Sequence, residues 1–205
     1  LRLLSATYAA DINTPQRARG DRPCWTPAEA RQFLLACRGH RHEPFFILAL
    51  ASGMREGELF ALAWHDINFD KATVTVRQSL LEHNGHLSLK SPKSGKGRII
   101  KLPKVAMTAL HEHRKKALTA GMLDKPVFHG RDGCYLRCGN FLRSVFYPLV
   151  KAAGVRKLTL HDLRHAHASH LLEAGVPVKV VSERLGHANV SITLSVYQSV
   201  MPGMQ

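Results

Sequence analysis

Residues 158–175, "LTLHDLRHAHASHLLEAG", set four histidines (His161, His165, His167 and His170) around Arg164. Histidine titrates near neutral pH and serves proton transfer, metal ligation or a packed polar core. On a helix turning about 100° per residue, His161, Arg164 and His165 share one face, because they lie three and four positions apart. His167 and His170 fall on another side, near Leu163 and Leu171, and read as packed or surface imidazoles. Two chemistries suit the first face. "HDLRH" (161–165) echoes the H-E-x-x-H zinc pattern. However, Asp162 stands where that pattern has Glu, no third ligand follows at a recognisable spacing, and Arg164 would set a fixed cation beside the metal. A phosphate site fits better: Arg164 supplies bidentate donors and His161 transfers a proton.

The segments around this helix point to a mostly α-helical domain with a small antiparallel three-stranded β-sheet, an α+β class. "TPAEARQFLLAC" (26–37) starts a helix, with Thr26 as cap, Pro27 at the first helical position and Glu29 completing a capping box. Helical segments follow at 43–52 and 55–64, joined through "SGMRE", where Gly53 permits a sharp turn. The period then changes. "ATVTVRQSL" (72–80) alternates and is β-branched, "NG" (84–85) is a hairpin turn, "HLSLK" (86–90) alternates again, and "GRIIKLP" (97–103) makes a third strand. "SPKSGKG" (91–97) is a loop with two lysines. Helical spacing returns at 104–121, 139–153, 161–174, 177–185 and 190–198, with Gly154, Gly175 and Gly186 between segments. Residues 1–22 read as a linker or the remnant of an interdomain region, and 23–205 as one domain.

Charge is the strongest bulk signal. The 205 residues hold 29 Lys+Arg against 15 Asp+Glu, a formal net charge of +14. Such an excess suits a polyanionic partner, through phosphate contacts and counterion release. No apolar run approaches the roughly 20 residues of a membrane helix, so no membrane role is expected. The first residues lack the order of a signal peptide, and a chain that starts at Leu reads as part of a longer polypeptide. Cys24, Cys37, Cys134 and Cys138 are too sparse for a disulfide framework, which favours a reducing cytoplasm. Cys134 and Cys138 have near-metal spacing beside His129. No second close pair follows, so no zinc site is expected there.

Other residues fit a phosphate site. Arg55 opens a helix at "GMREGEL", where helix-end amides add to anion binding. "LGHANVSITLSVYQSV" places His187 in a turn and Tyr197 ten residues later. Taken singly, Arg55 is a surface residue and Tyr197 a packing residue. Together, "ASGMREGELFALAWHDINFD" (51–70), "SPKSGKGRIIKLP" (91–103), "LTLHDLRHAHASHLLEAG" (158–175) and "LGHANVSITLSVYQSV" (185–200) resemble, in that order, the catalytic domain of the tyrosine recombinases, the phage integrase family. The resemblance covers about residues 23–200. The family's N-terminal core-binding domain is expected to be absent from this chain.

The resemblance implies a site-specific recombinase. Arg55 and Arg164 would hold the scissile phosphate, with His161 opening the H-x-x-R motif and His187 as the third-motif residue. Tyr197 would be the nucleophile and Lys93 the catalytic lysine, with Lys96 and Lys90 as alternatives. Glu58 would support Arg55, and His165 also has counterparts. The implied partner is double-stranded DNA, bound by a protein that is a monomer alone and a tetramer on synapsed DNA; the implied location is the cytoplasm, for a bacterial or phage-encoded, nucleoid-associated protein. Neither cofactor nor metal is required. The rivals are a type IB topoisomerase-like nicking and resealing enzyme, a catalytically silent DNA-binding module, and a zinc hydrolase built on "HDLRH".

Overall fold

A computed structural model describes residues 24–91 and 97–200, with side chains to residue 196. The 1–22 linker expectation therefore lies outside the described residues. Helix α1 (Pro27–Ala36) begins with the anticipated capping box: the Glu29 amide donates to Thr26 Oγ1 at 3.2 Å, and the Thr26 amide donates to Glu29 Oε2 at 2.9 Å. Helix α2 (Glu43–Ser52) has no polar stripe. Phe45, Phe46, Leu48 and Ala49 are all buried, which makes it the central helix. Around it rings pack edge to face or tilted, Phe33 on Phe46 at 5.0 Å and Phe45 on Phe141 at 4.8 Å, geometries that suit the aromatic quadrupole.

Helix α3 (Glu56–Phe60) is shorter than the helix expected over 55–64. The Leu62 carbonyl accepts the Val127 amide at 2.8 Å, and Ala63 bridges Pro126. The backbone is thus recruited away from the helix before a 3₁₀ turn at Trp64–Asp66.

The β region differs in topology from the expectation. β1 (Ile67–Asn68), β2 (Thr73–Val76) and β5 (Arg98–Lys101) form the antiparallel three-stranded sheet, with Val74 opposite Ile100. β3 (Ser79–His83) and β4 (His86–Lys90) form a separate hairpin. The stretch 72–80 is therefore two strands, and β2 pairs with β5. Gln78, at the position where the period of two set by Val74 and Val76 calls for an inward residue, is exposed beside Arg77, so the alternation lapses where the strand breaks and resumes inward at Leu80. The hairpin leaves the sheet to cover α3, where a Cβ on Gly57 would lie 2.6 Å from the Leu80 carbonyl oxygen.

Helix α4 (Lys104–Thr119) follows. A continuous helical stretch runs from α5 (Cys138–Phe141) through a π turn at Leu142–Phe146 into α6 (Tyr147–Ala153). Helices α7 (Leu160–Glu173), α8 (Val178–Leu185) and α9 (Val190–Val200) close the fold. Buried residues form one large cluster around α2 and a second, small one of Ala168, Leu172, Val181 and Leu185 between α7 and α8. No helix among the described residues is long and apolar enough to cross a membrane.

Candidate active site

The site is built where α2 ends. Gly53 adopts φ 64°, and a Cβ there would stand 2.6 Å from His167 Cδ2, so both conformation and space select glycine. The turn delivers Arg55 to the start of α3. Glu58, only 6% exposed, accepts the Arg55 amide at 2.7 Å and Arg55 Nη1 at 3.0 Å. It also takes a two-pronged contact from Arg98 on β5, at 2.8 and 2.6 Å. Burial alone would raise the Glu58 pKa. The Arg98 hydrogen bonds and charge, then Arg55, outweigh it and hold the carboxyl below its usual range.

The C-terminus of α8 organises the arginines. Gly186 (φ 66°) ends the helix in a Schellman arrangement: its amide donates to the Glu183 carbonyl, and the His187 amide donates to that of Ser182. The next three carbonyls each receive one guanidinium. Arg98 Nε donates to the Arg184 oxygen at 3.0 Å, Arg164 Nη2 to Leu185 at 2.8 Å, and Arg55 Nη2 to Gly186 at 3.0 Å. Helix-end carbonyls have no partner within the helix and carry the negative end of its dipole, so they are natural receptors for cations. Arg164 is buried and also donates through Nη1 to the Gly53 carbonyl at 2.8 Å. Burial, then repulsion from Arg55, pushes its pKa down to about 9, and it stays cationic at neutral pH.

His187 directly follows this seat. Its Nδ1 lies 2.8 Å from Oγ1 of the buried Thr193. Burial, then the charges of Arg164 and Arg55, lowers its pKa to about 4, so the ring is neutral at pH 7. His161 is exposed on the first turn of α7, which Thr159 and Asp162 cap reciprocally at 2.8 and 3.3 Å. Its ring meets that of His165 edge to face at 4.8 Å.

Arg55, Arg164 and His187 thus converge on the end of α8, and His161 pairs with His165. Tyr197 lies on α9 one turn beyond Thr193, but its side chain is outside the described residues. Lys93, expected as the catalytic lysine, and its alternative Lys96 lie outside them too; Lys90 is the exposed last residue of β4. His167 and His170 are packed: His167 Nδ1 reaches the Leu50 carbonyl at 2.8 Å, and His170 Nε2 that of Trp25 at 2.9 Å.

Sequence reading missed Arg98, Arg184 and Thr193. Arg98 sits 40 positions from Glu58 in the chain, and no local period reports such a pair. Among the described residues no group of three His, Cys, Asp or Glu is placed to hold a metal ion. A cleft of about 850 Å³ between the start of α2 and α4 shares no residue with the arginine cluster.

The sequence profile of the phage integrase family matches residues 25–203. A XerC-like tyrosine recombinase of Caldanaerobacter subterraneus subsp. tengcongensis is 34% identical over 194 residues, 85% of this chain and 49% of that protein. The ICEBs1 integrase of Bacillus subtilis is 27% identical, over 88% of this chain and 51% of that one. The chain spans about half the length of these relatives. Among solved structures, the Tn1549 transposon integrase in complex with circular intermediate DNA superposes with a TM-score of 0.77 at 25% identity, covering 88% of this chain and 64% of that one. XerA recombinase, at 23% identity and TM-score 0.73, shares the fold over 88% of this chain and 61% of its own.

Proposed function

Because the chain belongs to the phage integrase family, we propose that it is the catalytic domain of a site-specific DNA recombinase that cuts and rejoins double-stranded DNA. The observation that carries this reading is the triple arginine seat. Three guanidiniums on the end of α8, two of which (Arg55 and Arg98) also bind the buried carboxylate of Glu58, leave a surplus of positive charge beside His187. The side chain of Arg55 is 43% exposed, so it can meet a ligand without losing its anchor on Gly186.

Tyr197 is the nucleophile. A tyrosine hydroxyl is protonated at neutral pH because its pKa is near 10. As its oxygen attacks the phosphorus, its proton passes to His161. Negative charge grows on the non-bridging oxygens, where Arg55 and Arg164 stabilise it more than in the ground state. With the Thr193 hydroxyl donating to Nδ1, His187 carries its proton on Nε2 and donates it to the same oxygens. The bond from phosphorus to the 5′ oxygen breaks, and Lys93 protonates the leaving oxygen. The products are a 3′-phosphotyrosyl link and a free 5′ hydroxyl. The phosphodiester energy is kept in that link, so a 5′ hydroxyl from a second DNA end can attack it and release Tyr197. This scheme draws on neither ATP nor a metal ion.

The net charge of +14 supports the DNA partner. Exchange between two duplexes breaks four strands, which fits a monomer in solution that becomes a tetramer on synapsed DNA. The test is incubation with a nicked suicide substrate carrying the attachment site, in EDTA. An SDS-resistant protein–DNA adduct should form and disappear in Tyr197→Phe. Adduct formation that survives Tyr197→Phe, or that requires a divalent metal, contradicts the reading. Transfer of the trapped strand to a second duplex separates a recombinase from a topoisomerase-like enzyme, which reseals only its own strand.

A further inference from the structure

Behind the arginine seat lies a second polar layer that the proposed chemistry does not use. Arg184, on the last turn of α8, donates through Nε to His167 Nε2 at 3.0 Å and through Nη2 to the Ala51 carbonyl at 2.9 Å. His167, only 7% exposed, stands 2.8 Å from the Leu50 carbonyl through Nδ1. A ring that receives a guanidinium N–H at Nε2 and faces a carbonyl at Nδ1 is the neutral tautomer with its proton on Nδ1. The end of α2 is thus held by three side chains from α7 and α8: Leu50 by His167, Ala51 by Arg184 and Gly53 by Arg164. The carbonyl of Arg184 in turn receives Arg98.

From this connectivity we propose that His167 and Arg184 are positioning residues for the phosphate site. They lock the last turn of α8 onto the end of α2, and so fix the spacing of the carbonyls that carry Arg98, Arg164 and Arg55. The inference rests on the proposed reaction at Tyr197. It goes beyond that reaction in assigning a role to two residues that the reaction itself leaves unused. Small misplacements of groups that stabilise a transition state have large kinetic effects, whereas hydrophobic packing between α7 and α8 leaves their relative slide less defined.

A neutral scissile linkage separates positioning from mere folding. A methylphosphonate lacks the non-bridging negative charge that the guanidiniums stabilise, so a defect acting through them shrinks on that substrate. Adduct rates are measured for the wild-type chain, His167→Phe, His167→Gln and Arg184→Lys on phosphate and methylphosphonate suicide substrates, alongside thermal melting. His167→Phe should slow cleavage of the phosphate by roughly 10- to 100-fold and of the methylphosphonate by about twofold or less. His167→Gln keeps an acceptor near the Nε2 position and should recover most of the rate. Arg184→Lys, which leaves the core of α7 untouched, should behave like His167→Phe, because an ammonium cannot serve both partners with a guanidinium's fixed geometry. Equal losses on the two substrates, or no loss on either, overturn the proposal. If the wild-type chain forms no adduct with either substrate, the phosphotyrosyl reading itself fails and takes this one with it.

Discussion

The two ends of α2 are held in different ways. Its first turns sit in an aromatic cluster in which Phe45 meets Phe46, Phe60, Phe128 and Phe141. Its last turn is held by side-chain hydrogen bonds from Arg164, His167 and Arg184 to backbone carbonyls. Burial of apolar surface is non-directional and tolerates volume-conserving exchange. The polar end is directional, and a carbonyl that loses its donor is left buried and unsatisfied. One end therefore sets how firmly the domain folds, and the other sets where two phosphate-binding arginines stand.

The sharpest way to break this contrast is to empty the aromatic end. Phe45→Ala should destabilise the domain by about 3–5 kcal/mol, read by chemical denaturation. The adduct rate per folded molecule should change little. Disturbing the other end should give the reverse pattern. Arg164→Lys keeps a charge but cannot bridge Gly53 and Leu185 together, and should slow adduct formation by on the order of 100-fold with a smaller change in melting temperature. A large kinetic defect in Phe45→Ala at full folding would erase the distinction.

Acid should strain both ends. Burial, then the charge of Arg41, pushes His42 down to about 3, and burial, then Arg184, pushes His167 down to about 4. The unfolded chain therefore binds protons near pH 6.5 that the folded chain excludes. The stability contributed by the two neutral rings is complete above that pH and is lost progressively as pH falls, from about 6.5 to 4 for His167 and on to about 3 for His42. Denaturation series across that window should show a loss on the order of a few kcal/mol, with His167→Gln flattening part of the slope. The smallest effect should come from Gly186→Ala. It places a Cβ 2.9 Å from Arg98 Cδ at φ 66° and should lower stability by about 1–2 kcal/mol.

Much of this was legible in the sequence because the signals are local. The Thr26–Glu29 capping box, the turn at Gly53 and the H-x-x-R spacing on α7 each lie within a few residues, where helix geometry dictates which positions meet. The division of 72–80 into two strands was legible only in part: the polar, exposed Gln78 interrupts the alternation after Val76, but no local period tells that β2 pairs with β5. The arginine seat was only half legible. Arg55 and Arg164 stand out as cations in motifs, but that they share the end of α8 with Arg98 depends on contacts spanning 131, 21 and 86 positions. Arg184 reads as an ordinary helical cation until its partners, His167 and Ala51, are seen.

The most direct test of the central claim is to locate the covalent bond. The suicide-substrate adduct would be digested with protease and nuclease, and the modified peptide sequenced by mass spectrometry. A nucleotide joined through its 3′ phosphate to Tyr197 should be found, formed in EDTA and greatly reduced in Arg164→Lys. A nucleotide on any other residue, or an adduct insensitive to Arg164→Lys, would contradict the claim.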